Sequence, residues 1–287
     1  MNIQWYPGHM TKTKRMMQEN IPLVDIVIEL LDARIPYSSK NPAIDELAQH
    51  KKRLILLNKA DLANAAITKD WQNYYIARGF TTISLNATEK KIASRLAETV
   101  RNIMAEKIAK EKSRGRLTVN IRAMVVGIPN VGKSTLINQL SGVAGKKGTP
   151  TTTGDRPGVT RGKQWIKVAK DFDLLDTPGV LWPKFEEPQV GEKLAFTGAI
   201  NDTILDTVAL AELFIQWLLQ ENADTLLQRY KLPETAAQLP HHEILTIIGT
   251  NRSFKLKGNT IDLTRTAITV LDEFRSGKLG RITLEKP

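Results

Sequence analysis

An α/β fold built on a mostly parallel sheet, followed by a mainly helical second domain, is the architecture this sequence predicts. Three observations predict it. Short apolar runs alternate with helical stretches over roughly the first two thirds of the chain, the pattern of βαβ units. The runs are largely apolar rather than alternating, as in strands covered on both faces. Beyond about residue 183 helical periodicity takes over, so the reading divides the chain into residues 1–184 and 185–287.

Residues 1–20 are polar and carry Lys12, Lys14 and Arg15. Apolar runs at 24–31, 53–57 and 81–85 read as parallel strands, with a helix over 68–78 between the last two. One long charged helix is expected over 89–112, and the basic stretch 112–116, containing Gly115, reads as a linker. Strand 122–126 meets a glycine-rich loop, a helix over 135–140 follows, and 172–175 is a further apolar run. In the second part Ile204, Leu205, Val208, Ala211, Ile215, Leu218 and Leu219 mark one helical face. Pro240 and Gly249 bracket a short helix as start and stop, and Asp262 caps a last helix that Gly277 ends. No internal repeat is visible.

Composition removes several classes. Among 287 residues there is no cysteine, so neither a disulfide nor a thiolate metal site is possible. The opening residues MNIQWYPGHM show no basic-then-apolar leader. The most apolar helical stretch, 203–219, carries Asp206, Glu212 and Gln216 and is no membrane span. A soluble cytoplasmic protein is expected. The net charge of +11 points to a polyanionic partner. With no strongly basic amphipathic helix, that partner reads as nucleic acid rather than membrane.

Gly127-Ile128-Pro129-Asn130-Val131-Gly132-Lys133-Ser134 matches G-x-x-x-x-G-K-[ST] in full. It lies between a strand and a helix, the context such a loop needs. Glycines let backbone N–H groups curl around phosphate, and the helix N-terminus adds its dipole. Asn130, Val131, Gly132 and Thr135 then line the phosphates, Lys133 reaches the β- and γ-phosphates, and Ser134 ligates Mg²⁺. Asp176-Thr177-Pro178-Gly179 ends the last apolar run. There Asp176 is expected to hold Mg²⁺ through water, and Gly179 to let its N–H approach the γ-phosphate. Between the two motifs Thr160 is the expected switch threonine, covering Mg²⁺ and γ-phosphate, with Thr151, Thr152 and Thr153 as competitors.

The base loop lies upstream. Asn58-Lys59-Ala60-Asp61 follows strand 53–57. Guanine presents adjacent N1–H and N2–H₂ donors, and the Asp61 carboxylate accepts both, a pairing adenine does not offer. Lys59 can lay its stem along the base, and Asn58 can tie this loop to the phosphate loop. Ser84-Leu85-Asn86 is either the last base-contacting loop, through Asn86, or a solvated strand end. The order is rotated: in ordinary small GTPases the phosphate loop comes first and the base loops last. Joining the old ends through 112–116 and opening the chain after Gly179 gives this arrangement. The same loops can still meet in space, but the second switch now runs directly into the helical part.

On these motifs the chain resembles the circularly permuted GTPases, and among them the ribosome biogenesis GTPase A family. The residues that carry the likeness are Trp5-Tyr6-Pro7-Gly8-His9-Met10, Asp32-Ala33-Arg34, 58–61, 127–134, 157–160 and 176–179. The likeness covers essentially the whole chain; it departs at Ser84-Leu85-Asn86, where the family has Ser-Ala-Lys. The resemblance implies GTP hydrolysis in assembly of the large ribosomal subunit, with GTP/GDP, the subunit precursor and its rRNA as partners and neither membrane nor DNA. The alternatives are a GTP-regulated RNA-binding partner and a scaffold with little hydrolysis.

Many GTPases place a glutamine after D-x-x-G to orient the attacking water; here that residue is Val180. His9 is the catalytic candidate beside Lys133. It follows Pro7-Gly8, a turn able to present the ring from a mobile arm, and imidazole is the side chain type suited to proton traffic near neutrality. The residues alone leave His9 open as a surface histidine, and the resemblance assigns it the water. Asn130 is either a turn residue or, as in potassium-activated GTPases, a K⁺ ligand offsetting charge beside the phosphates. His50, His241 and His242 show no ligand spacing. Two basic clusters, Lys146, Lys147, Arg156, Arg161, Lys163, Lys167 and Lys170, and Arg252, Lys255, Lys257, Arg265, Arg275, Lys278 and Arg281, read as RNA phosphate contacts rather than solvated faces.

Overall fold

The computed structural model describes residue 3 and residues 8–143, 164–182 and 185–287 of the 287-residue chain. The chain opens with helix α1 (Gly8–Asn20), then β1 (Ile26–Asp32), α2 (Pro42–Leu47), β2 (Lys52–Asn58), α3 (Ala65–Ala77), β3 (Thr81–Ser84), α4 (Ile92–Ile103), α5 (Ala105–Ser113) and β4 (Ile121–Gly127). After α6 (Lys133–Val143) come β5 (Gln164–Ala169) and β6 (Phe172–Asp176). Then α7 (Pro188–Phe196), α8 (Thr207–Glu221), α9 (Ala223–Tyr230), α10 (His241–Asn251) and α11 (Leu263–Arg275) follow without a further strand among the described residues.

The six described strands form one sheet in the order β3-β2-β1-β4-β6-β5. All neighbours are parallel except β5 and β6. The apolar runs of the sequence have their cause here. Every residue of β1 is buried, because strands on both sides fill its hydrogen bonds and helices cover both faces. On one face Ile28, Leu30, Leu54 and Val125 share a core with Leu96 of α4 and Leu136 of α6. On the other, Val27, Met124, Val126 and Leu175 join Met17 of α1 and Ile44 of α2, while Ile55 and Leu57 meet Trp71 and Tyr75 of α3.

Two expected elements differ in detail. The helix over 89–112 is two helices, α4 and α5, broken at Met104, where the backbone leaves helical values (φ −97°, ψ 11°). Gly249 does not stop its helix. α10 runs on to Asn251, and Gly249 lies inside it, so close to Ile261 and Thr266 that a side chain would collide with both. The Asp262 cap is present: its carboxylate accepts the Arg265 N–H at 2.9 Å. In the helical part Phe214 of α8 is a hub, its ring 5.1 Å from that of Phe196 on α7 and 4.8 Å from that of Phe274 on α11. No described helix is long and apolar enough to cross a membrane.

Candidate functional site

Parallel pairing brings the ends of β1, β2, β4 and β6 to one edge of the sheet, and these ends are Asp32, Asn58, Gly127 and Asp176. Chain order reverses between β1 and β4, and the glycine loop leaves β4 there. Open α/β sheets bind ligands at such a switch point. The rotated sequence order therefore leaves the spatial set of loops intact.

The phosphate loop and the D-T-P-G segment are in tight contact. Gly132 has φ +97°, and a Cβ on it would lie 2.4 Å from Asn58 Nδ2. A Cβ on Gly179 would lie 2.9 Å from Pro129 Cα, so a side chain at Gly132 would displace Asn58 and one at Gly179 would displace the phosphate loop. Val180 N–H donates to the Gly127 carbonyl at 3.1 Å, and the Thr177 hydroxyl donates to the Val125 carbonyl at 2.5 Å. α6 starts at Lys133, which turns the open N–H groups and positive dipole of its first turn toward the loop.

Lys133 and Asp176 are both buried. Burial pushes the Lys133 ammonium below its usual range, opposed by the Asp176 carboxylate. Burial likewise pushes the Asp176 carboxyl upward, opposed by Lys133. Asp176 Oδ2 is enclosed and has no hydrogen-bond partner among the described residues. An orphaned carboxylate oxygen, with the Ser134 hydroxyl in the first turn of α6, is a hard-oxygen donor set. It fits Mg²⁺, which takes one or two protein oxygens and completes its shell with phosphate and water.

The base loop is tied in by Asn58, which is 1% exposed. Its Nδ2 donates to the Val131 carbonyl at 2.7 Å, and its Oδ1 accepts the Ala87 N–H at 3.0 Å. One side chain thus joins three loops. Lys59 (φ +59°) donates from Nζ to the Asn130 carbonyl at 2.7 Å and to Asp32 Oδ2 at 3.0 Å, which stretches its stem across the loop edge. The Asp61 side chain is exposed and engages no described residue. Asn86 Oδ1 accepts from the Thr88 N–H and hydroxyl at 2.9 and 2.7 Å, an Asx turn. Its side-chain oxygen faces its own turn, and the join to the site runs through Ala87, a residue that belongs to no motif.

Asp32 and Arg34 are the other residues that sequence reasoning leaves without a role. Arg34 is almost fully buried and holds Asp32 bidentately, Nε to Oδ1 at 2.9 Å and Nη2 to Oδ2 at 2.7 Å. Burial pushes the Asp32 carboxyl up, but the charges of Arg34 and Lys59 outweigh it and hold the pKa far below the carboxylate range. Arg34 also donates to the Arg275 carbonyl at 3.3 Å and lies over the Phe274 ring at 5.1 Å. A charged pair at the end of a buried strand was the available signal.

The helical part reaches this edge at several points. Asn130 has φ +56°, and its Nδ2 donates to the Gly198 carbonyl at 2.8 Å. Arg275 donates to Ala195 and Phe196 carbonyls and forks onto Asp202. Arg281 donates to Ala60 and Ala63 carbonyls. Arg275 and Arg281, two members of the C-terminal basic cluster, thus serve internal bonds, whereas Lys255, Lys257, Arg265 and Lys278 are exposed. Thr160, its competitors Thr151, Thr152 and Thr153, and Lys146, Lys147, Arg156, Arg161 and Lys163 lie outside the described residues. His9 is the second residue of α1; its backbone is helical rather than on a free arm, and its side chain is outside the described set. Among the described residues no three His, Asp or Glu side chains gather as a metal site.

Known proteins share both this sequence and this fold. The family described as "50S ribosome-binding GTPase" matches residues 122–238. "Ribosome biogenesis GTPase A" of Bacillus cereus is 46% identical over the whole chain and 95% of its own length. The protein of the same name from Priestia megaterium is 45% identical over 100% of this chain and 98% of its own. Among solved structures, GNP-bound YlqF from Thermotoga maritima superposes with a TM-score of 0.66 at 24% identity, covering 96% of this chain and 98% of that one. That likeness establishes the fold. With near-half identity along its full length, the chain belongs to the ribosome biogenesis GTPase A family of circularly permuted GTPases.

Proposed function

We propose that this GTPase acts as an assembly factor for the large ribosomal subunit, binding rRNA in a nucleotide-gated way and hydrolysing GTP faster on the ribosome. The observation that supports it most is the gathering of the base, phosphate and D-T-P-G loops at one sheet edge in a chain so similar to ribosome biogenesis GTPases. Family membership disfavours a scaffold with little hydrolysis. Residues 1–184 serve as the nucleotide domain and residues 185–287 as the domain that contacts RNA.

Within the site, Asp61 reads guanine N1–H and N2–H₂, Lys59 lies along the base, and Asn58 and Asn86 hold the loops that frame it. Backbone N–H groups from Asn130 to Thr135 wrap the phosphates, and the buried Lys133 offsets their charge. Gly179 brings its N–H to the γ-phosphate, and Thr160 closes over it. Ser134, Thr160 and, through water, Asp176 would hold Mg²⁺, which when bound neutralises charge on the β- and γ-phosphate oxygens. Asn130 is a candidate K⁺ ligand. His9 orients water, the task Val180 cannot perform.

Three measurements test this reading. Ser134→Ala should lose Mg²⁺-dependent nucleotide affinity and turnover together, by about a hundredfold in kcat/KM; wild-type turnover would remove Ser134 as the metal ligand. Purified large subunits should stimulate GTP hydrolysis, and ribosome binding should weaken as salt rises. Neutral substitutions at Lys255, Lys257 and Arg265 should flatten that salt slope by about one unit for each phosphate no longer neutralised. Lys257 lies in an exposed turn and Lys255 just before it, and Arg265 lies over the Phe254 ring at 4.3 Å. Salt-independent binding would exclude this face.

A further inference from the structure

Residues 281–283, beyond α11, fold back onto the end of the base loop and the turn that follows it, and bond to Ala60, Leu62, Ala63 and Asn64. Arg281 Nε donates to the Ala63 carbonyl at 3.0 Å and Nη2 to the Ala60 carbonyl at 2.8 Å. Ile282 N–H donates to the Leu62 carbonyl at 3.1 Å. Asn64 N–H donates to the Thr283 hydroxyl at 3.0 Å. Of residues 60–64, Asp61 alone forms no bond to this tail among the described residues, and its side chain faces solvent.

The tail is itself fixed. Ile282, Thr283, Leu284 and Glu285 are buried. Leu284 N–H donates to the Arg34 carbonyl at 2.8 Å, and Trp71 Nε1 donates to the Glu285 carbonyl at 3.0 Å. The Glu285 carboxylate accepts the Tyr37 N–H at 2.7 Å and bonds Ser38. These anchors sit on α3 and the turn after β1, so the tail is a rigid strap across the nucleotide domain. A surface turn left to water samples many conformations. Here fixed donors replace water on the carbonyls of Ala60, Leu62 and Ala63, two of them held by the charged guanidinium.

We infer that Arg281, with Thr283, is a positioning residue for guanine recognition: the C-terminal strap holds the Ala60–Asn64 turn so that the Asp61 carboxylate meets both guanine donors at once. The Arg281 fork brackets Asp61, gripping the residue before it and the second one after it. This rests on the reading of Asp61 as the base contact. A bidentate pair needs orientation more than a single bond does, so loosening the turn costs the second bond first. Guanine specificity is then set partly from the part of the chain proposed to contact RNA, independently of the γ-phosphate.

The test uses the full chain, with GTP, GDP and inosine triphosphate, which lacks the 2-amino group. Arg281→Ala should raise KM for GTP and Kd for GDP alike, about three- to tenfold. It should shrink the preference for GTP over inosine triphosphate by a similar factor and leave kcat at saturation and Mg²⁺ dependence unchanged. Arg281→Lys, which can reach one carbonyl at a time, should restore part of the preference. A merely structural role would lower all nucleotide binding without changing the ratio. Thr283→Val removes the acceptor for Asn64 N–H and gives the same readout should Arg281→Ala fold poorly. A wild-type GTP-to-inosine triphosphate ratio in folded variants overturns the proposal. Asp61→Asn separates the two readings. If it leaves guanine preference intact, the base reading fails and this one with it. If it changes the preference while the strap variants do not, only the strap proposal fails.

Discussion

Asp61→Asn is expected to weaken GTP binding by about a hundredfold and to make xanthosine triphosphate the better ligand. The substitution keeps the shape of the side chain and exchanges one acceptor oxygen for an NH₂ donor. Facing guanine, that donor meets N–H groups, so two charge-assisted bonds become one neutral bond and one repulsive contact. At roughly 1.5–3 kcal/mol for a hydrogen bond to a charged group, the loss amounts to about 3 kcal/mol, or a hundredfold. Xanthine carries a C2 carbonyl in place of the amino group, and the new donor satisfies it. The exposed carboxylate of Asp61, engaging no described residue, leaves the fold little reason to suffer from the change. Competition binding of the two triphosphates measures the effect. Unaltered GTP preference would remove Asp61 as the base reader.

The nucleotide edge was readable from the sequence because its chemistry is local. G-x-x-x-x-G-K-S and N-K-x-D are short, and each follows an apolar strand, so parallel pairing alone brings them to one edge. The rotated order was readable for the same reason: a closed site depends on which loops meet, and Asn58 bonding Val131 is indifferent to which comes first in the chain. What stayed hidden depends on distance in sequence. Arg281 counts as one more basic residue until its guanidinium is seen on carbonyls more than two hundred positions away. Arg34 reads as a charge at a strand end, yet it is buried because Asp32 neutralises it and α11 covers it. Gly249 reads as a helix stop because glycine commonly ends helices, whereas here it admits Thr266 of the next helix. Periodicity predicts which face is apolar but not which partner will press on it.

The contacts between the two parts of the chain also change how the nucleotide can influence the helical part. The sequence suggests a link through the second switch, which runs on into α7. The structure adds three further links: Asn130 to Gly198, Arg34 to α11, and the strap to the base loop. The strap touches the loop proposed to contact the base, and Asn130 belongs to the loop proposed to wrap the phosphates. Both would give bound nucleotide a route to the helical part besides the second switch.

His9→Ala is expected to remove most of the ribosome-stimulated hydrolysis, a loss on the order of a hundredfold if His9 is the sole group orienting water, while nucleotide affinity stays within about twofold. The residue after D-T-P-G is Val180, buried and bonded through its backbone to Gly127 and to the Asn41 side chain. An apolar side chain so held can neither bond nor approach water, so the group must come from another element. α1 is that element. His9 stands at its start, one residue before the fully buried Met10, and Met17 of the same helix shares a core cluster with Val180. A helix anchored by the buried Met10, Thr13 and Met17 carries its first turn as a rigid extension. Small shifts of α1, driven by ribosomal RNA bound at the exposed Lys12 and Arg15, would then move His9 as a unit rather than order a loose arm. A group that touches only the attacking water acts in the transition state and leaves ground-state binding alone. The measurement is single-turnover hydrolysis with and without large subunits, beside GTP affinity. A shifted affinity with an unchanged stimulated rate would place His9 in nucleotide binding. Equal stimulated rates and equal affinities for mutant and wild type would make it a surface residue of α1 and return the catalytic role to a group not yet identified.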